Sequence, residues 1–171
     1  MAFIFLIIVK AKLTPLTYDE AYTYLNYVLT KDYFNLGLAN NHLLSTLLMG
    51  FTSLFNNSEL FLRAPSIASG ILYIFLAYKF SVKYKYSYLI LFIFLLNPLI
   101  IDFFSLARGY SISTTLNLTS IYLYVYSDNK FKYPFIVFLL WLSSLAIFIN
   151  LVTLFIIIFL NYFFQKNAIK N

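Results

Sequence analysis

Apolar residues in this chain come in long charge-free runs separated by short polar stretches. That is the pattern of helices crossing a bilayer, not of elements around a soluble core. Ala2 to Val9 is apolar but gives way to Lys10, short of the ~20 residues a span needs. It reads as the tail of a first span whose start is missing. Leu60 to Tyr78, Tyr86 to Ile101 and Ser111 to Tyr126 predict further spans, with Pro98 near the far end of the middle one. Tyr133 to Phe164 runs without a charge. As one helix it would be ~48 Å long against a hydrocarbon core of ~30 Å, so two short spans meeting near Asn150 are expected. The predicted fold class is an all-α polytopic membrane protein of about five to six transmembrane helices. The expected domain is one membrane unit: residues 1–13 a partial first span, 14–57 an outer loop, and 58–165 about five spans.

The outer loop has a helical pattern of its own. Thr17-x-x-Glu20 is a capping box that opens a helix at Tyr18, with Ala21, Leu25, Val28 and Leu29 on one face. A second helix is expected to begin at Asn40 as N-cap, with Leu43, Leu44, Leu47, Leu48 and Phe51 as its apolar stripe. Amphipathic helices beside a bilayer lie in the interface, so two interfacial helices are expected here.

Composition sharpens this picture. The chain is 62% hydrophobic and 11% charged, against roughly 25% charged residues in soluble domains. The absence of cysteine excludes a disulfide framework and thiolate metal sites. The net charge of +6 reads as a sidedness signal and not as a nucleic-acid footprint. Lys79, Lys83, Lys85, Lys130, Lys132, Lys166 and Lys170 fall on one side of the predicted topology, which the positive-inside rule makes cytoplasmic. Asp19, Glu20, Asp32, Glu59, Asp102 and Arg108 fall on the other side, with Lys10, Lys12 and Lys31 as exceptions.

Candidate chemistry gathers on that outer side. Asp19 and Glu20 open the first outer helix. Capping and the helix dipole account for both; a carboxylate at the membrane surface also suits a general base acting on an acceptor hydroxyl. His42, the single histidine, is either a hydrogen-bonding surface residue or, with Asp19 or Glu20, a ligand of a divalent metal ion. Asp102 and Arg108 are spaced for an ion pair across a turn; alternatively Arg108 grips a lipid phosphate. Arg63 reads as snorkelling to the headgroups, with phosphate contact as the other reading. Tyr18, Tyr22 and Tyr110 belong to an interfacial belt or stack on a sugar.

The order of these pieces resembles a known family. An Asp-Glu pair follows the first apolar segment. Then come Asn40-Asn41-His42-Leu43-Leu44-Ser45-Thr46-Leu47-Leu48 and Ser58-Glu59-Leu60-Phe61-Leu62-Arg63-Ala64-Pro65. After Pro98 comes Phe103-Phe104-Ser105-Leu106-Ala107-Arg108-Gly109-Tyr110-Ser111. Over residues 13–127 this resembles the N-terminal half of the GT-C membrane glycosyltransferases, in the branch of protein O-mannosyltransferases and lipid A aminoarabinose transferases. Many relatives have proline where this chain has Leu43.

The resemblance implies an inverting enzyme of the bacterial inner membrane. It would move a sugar from a polyprenyl-phosphate donor to a protein, lipid or glycan acceptor on the periplasmic face. It implies Asp19 as general base and Glu20 as the second acid, orienting acceptor or metal. Arg108 and Tyr110 would lie at the donor, with His42 and Arg63 as further contacts. Such enzymes have more spans, so the chain is expected to be the N-terminal part of a longer protein or a short paralogue. The alternative function is a non-catalytic membrane module: an inactive paralogue, an assembly partner or part of a transporter.

Overall fold

The computed structural model describes residues 2–35, 41–127 and 132–147, together with Asn150 and Ile156. Among these residues every regular element is helical, as the hydrophobic pattern predicts. The helices are α1 (Ala2–Leu13), α2 (Tyr18–Thr23), α3 (Leu43–Ser53), α4 (Glu59–Leu62), α5 (Ala64–Ser81), α6 (Ser87–Leu95), α7 (Pro98–Ser105), α8 (Gly109–Tyr126) and α9 (Lys132–Ala146). A π-turn at Tyr24–Val28 continues α2.

The long helix α8 lies between α5 and α9, while α1 and α7 close the other side of α5. Ile7, Tyr73, Leu76, Ala77, Ile100, Phe104 and Leu118 form the main apolar core. A Cβ on Gly70 would stand 2.9 Å from the Phe104 ring, so this glycine lets α7 settle onto α5. A second cluster of Val28, Met49, Leu62 and Ala107 fastens the outer helices to the α7–α8 turn.

Polarity is partly inverted along the bundle. The buried face of α8 includes Ser111, Ser113, Thr115 and Ser120, and that of α9 includes Ser143 and Ser144. These hydroxyls bond across helices: Ser111 Oγ to Ser66 Oγ at 3.0 Å, Thr115 Oγ1 to the Ser69 carbonyl at 3.0 Å, and Ser143 Oγ to Asn117 Oδ1 at 2.9 Å. Small side chains allow that close approach. By contrast α6, apolar along nearly its whole length, buries no residue. Leu89, Phe92 and Ile93 face outward there, as do Phe135, Phe138 and Trp141 on α9.

Several expectations need correction. Tyr86 to Ile101 is not one span: α6 and α7 meet at a 56° bend. Pro98 brings no amide hydrogen to a continuing helix, and Asn97 caps the new one by accepting from Leu99 N at 3.0 Å. Leu60 to Tyr78 divides at Arg63, where α4 ends and α5 begins with Pro65 in its first turn. Among the described residues no single helix is long and apolar enough to cross a membrane, although α6 and α7 together meet that length and composition. Helix α9 ends at Ala146, ahead of the break expected near Asn150. Apart from Ile147, Asn150 and Ile156, the rest of Tyr133 to Phe164 lies outside the described residues.

The outer helices differ as well. The π-turn shifts the register after α2, so Tyr27 and Val28 are buried while Leu25 and Leu29 face out. Asn40 lies outside the described residues, and α3 starts at Leu43 with His42 at its N-cap. Its inward face is Ser45, Thr46, Met49 and Gly50; Leu47 and Phe51 of the expected stripe are exposed. Thr46 Oγ1 donates to Asn41 Oδ1 at 2.9 Å and fixes that orientation.

The lysines assemble partly as predicted. Lys83 Nζ sits 3.5 Å from the Tyr126 ring centre, and Lys132 Nζ donates to the Tyr124 and Ser127 carbonyls. The 79–85 segment and the start of α9 therefore share one end. Lys130, Lys166 and Lys170 lie outside the described residues. Asp19, Glu20, Arg63 and Arg108 gather at the other end of α5 and α8.

Candidate functional site

The site is built where α2, α3 and α8 begin. Thr17, in an extended conformation, forms the predicted capping box. Its Oγ1 accepts from Glu20 N at 3.4 Å and its own amide donates to Glu20 Oε2 at 2.9 Å. This box points the adjacent carboxylates of Asp19 and Glu20 in different directions.

Glu20 turns inward. Its Oε1 accepts from Arg63 Nε at 2.8 Å and from the Ala107 amide at 2.6 Å; its Oε2 accepts from Arg63 Nη2 at 2.7 Å. Both side chains are 0% exposed. Arg63 spends its remaining donors on backbone carbonyls: Nη1 on Ala11 and Thr14, both at 2.6 Å, and Nη2 on Pro15 at 3.0 Å. All five N–H groups of the guanidinium are thereby used. The pair ties the end of α1, the start of α2, the α4–α5 junction and the α7–α8 turn at one point. Burial pushes the Glu20 carboxyl upward, but the Arg63 hydrogen bonds and the Ala107 and Thr17 amides outweigh it and leave the pKa below 4.5. Arg63 does not snorkel and offers no donor to a ligand. Glu20 has no free oxygen for a substrate or a metal.

Asp19 turns outward and pairs with Arg108 Nη1; their side chains are 34% and 20% exposed. The expected Asp102–Arg108 pair does not form. Asp102 instead pairs with Lys10 of α1, one of the lysines that departed from the expected sidedness. The reason is the extended turn at Leu106 and Arg108, which carries Arg108 away from Asp102 and over α2. Among the described residues this pairing is the single hydrogen bond of the Arg108 guanidinium.

Aromatic rings surround the arginine. Its guanidinium lies 5.5 Å from the Tyr110 ring centre. Tyr110 stacks on Phe103 at 4.9 Å and meets the edge of His42 at 5.3 Å. Gly109 makes this junction possible: a Cβ there would lie 2.1 Å from the Ala146 carbonyl and 3.0 Å from His42 Cβ. Among the described residues His42 Nε2 is buried without a hydrogen-bond partner. Burial lowers the His42 pKa below 6.5, helped by the Arg108 charge and opposed by the Ala146 carbonyl and Asp19. Tyr18 is exposed and packs at 6.2 Å on Tyr22.

The structure thus brings together Asp19, Arg108, Tyr110 and His42 and sets Glu20 and Arg63 apart. Phe103, Lys10 and the Ala107 amide were missed as participants. Phe103 and Ala107 stood in the Phe103–Ser111 motif, but without a role of their own. Among the described residues no group of three or more His, Asp and Glu side chains could hold a metal ion. With Glu20 saturated, the Glu20–His42 metal pair does not fit.

An open apolar groove of about 440 Å³ lies between Leu48 and Phe51 of α3, Ala64, Pro65 and Ala68 of α5, and Ile112 of α8. Ile112 is one helical turn from Arg108. Compared with known proteins, the chain matches no family model, no curated protein and no solved structure. The resemblance stated above therefore stands on its own motifs.

Proposed function

We propose that these residues form the donor and acceptor end of a GT-C-type membrane glycosyltransferase, inverting, with a polyprenyl-phosphate sugar as donor. The observation that carries this reading is the partly exposed Asp19–Arg108 pair: a carboxylate and a guanidinium, whose planar fork suits a phosphate, share one rim. The adjacent Glu20–Arg63 pair is consumed by the fold. In the reaction, the acceptor hydroxyl oxygen forms a bond to the anomeric carbon while the bond from that carbon to the phosphate oxygen breaks. The electron pair leaves with the polyprenyl phosphate, and the acceptor proton goes to Asp19. Arg108 offsets charge on the departing phosphate. Tyr110, braced by Phe103, supports the Arg108 guanidinium at the rim. Among the described residues no group of three or more His, Asp and Glu side chains could hold a metal ion, and the steps above use side chains alone.

Three features support a bilayer setting: the outward apolar faces of α6 and α9, the hydroxyl-rich helix contacts, and the lysines gathered at the end away from the site. The apolar groove, whose wall includes Ile112 one helical turn from Arg108, suits a lipid-linked donor. The outer face is then periplasmic in a bacterial inner membrane.

The test uses membranes carrying the full protein and a panel of radiolabelled polyprenyl-phosphate sugars. Label is expected to leave the lipid for an acceptor, and Arg108→Ala is expected to raise the donor KM at least tenfold, the order of one charge-assisted hydrogen bond. Transfer at the wild-type rate and KM in Arg108→Ala contradicts the reading. The Asp19–Arg108 pairing also favours a second reading, a non-catalytic membrane module in which both pairs are staples. On that reading Arg108→Ala changes stability and nothing else.

A further inference from the structure

The candidate base and the candidate phosphate ligand are not side by side by chance of the surface: they are bonded to each other. Asp19 holds Arg108 through Nη1 across 89 residues of chain. In this state the carboxylate is partnered and the guanidinium is partly neutralised. We propose that this pair is a resting lock that the donor phosphate opens. The inference rests on the proposed function.

The phosphate competes with Asp19 for the same guanidinium. When it wins, Arg108 turns to the phosphate, and Asp19, no longer held by the guanidinium, accepts the acceptor proton. The base then loses its cationic partner only once a donor is seated, and from that point it takes up a proton more readily. The buried pair next door shows why this lock can open and that one cannot. Arg63 has five hydrogen bonds to surrender and no access to solvent. Arg108 has one among the described residues, at a half-exposed rim whose aromatic wall can support the guanidinium as it turns. The α8 N-terminus behind it has no side-chain cap, so its dipole also favours an incoming anion.

The lock predicts that removing the Asp19 carboxylate strengthens phosphate binding while removing the base. The test measures the binding of undecaprenyl phosphate to the full chain in detergent micelles, with undecaprenol as the phosphate-free control. Asp19→Asn is expected to bind undecaprenyl phosphate about threefold to fivefold more tightly, the range released by a half-exposed ion pair. Undecaprenol binding is expected to be unchanged, and Arg108→Ala is expected to lose the phosphate-dependent part. Asp102→Asn removes the same charge without touching Arg108 and is expected to show no gain. Asp19→Ser serves if Asp19→Asn fails to fold.

Unchanged or weaker binding by Asp19→Asn, with Arg108→Ala still defective, overturns the lock and leaves the donor site standing. An equal gain in Asp102→Asn, or an equal gain of Asp19→Asn toward phosphatidylglycerol, also overturns it, as a general field effect. Wild-type binding by Arg108→Ala overturns the donor site and the lock together.

Discussion

Asp19 and Glu20 are neighbours in the chain, and each is paired with an arginine far from it in sequence, yet the two pairs live in different media. Glu20 and Arg63 have lost all contact with solvent, and every donor of the arginine is matched. Asp19 and Arg108 keep about a third and a fifth of their side-chain surface. Burying two charges costs several kcal/mol per ion, which only full hydrogen bonding offsets; once offset, the pair cannot change partners. A half-exposed pair contributes about 1 kcal/mol or less and can exchange. The capping box sets this division, because it commits Glu20 to N3, facing the bundle, and leaves Asp19 at N2, facing out.

The comparison can be broken most severely on the buried side. Glu20→Ala leaves the Arg63 charge uncompensated, and a loss of about 3–5 kcal/mol is expected, read as a collapsed melting transition in detergent. Replacing both partners by Met does not restore wild-type stability, since the Ala11, Thr14 and Pro15 carbonyls and the Ala107 amide also lose their partners. Next comes Gly109→Ala, which drives a Cβ into the Ala146 carbonyl. The start of α8 must separate from the end of α9, and about 1–3 kcal/mol is expected from overpacking, again by thermal melting. Acid sharpens the same contrast. The folded pKa of Glu20 is depressed, so its stabilisation is fully present above 4.5 and lost as pH falls through the folded value. Melting temperature is expected to drop below that pH in wild type, with a flatter profile in the Glu20→Met, Arg63→Met double variant. The smallest effect belongs to Asp102→Asn, which breaks only the surface pair with Lys10 and is expected to cost under ~1 kcal/mol.

What the sequence made legible was local. The capping box is a spacing of three residues and was read correctly, as were the all-helical class and the α8 helix; Pro98 was visible, but the bend it imposes on Tyr86 to Ile101 was not read from it. What stayed hidden depends on contacts between distant residues. Glu20 meets Arg63 and Ala107 across 43 and 87 positions, and no local pattern encodes that. Asp102 and Arg108 looked like partners because they are close in sequence, but the extended turn at Leu106 separates them. The stripe of α3 was visible as a stripe; periodicity shows which face is apolar, not what that face meets. Here Leu47 and Phe51 face away from the protein, and polar Ser45 and Thr46 face into it. The same ambiguity governs α6, whose apolar length is evident while its lack of buried residues is not.

The central claim is that Asp19 carries chemistry and Glu20 carries architecture. It is tested most directly by the sugar-transfer rate of Asp19→Asn, measured per mole of folded protein. The account predicts a loss of about 10²–10⁴, the range for a general base, with a melting temperature lowered by no more than the loss of a ~1 kcal/mol ion pair explains. A wild-type rate, or a loss no larger than a lowered melting temperature explains, would contradict it.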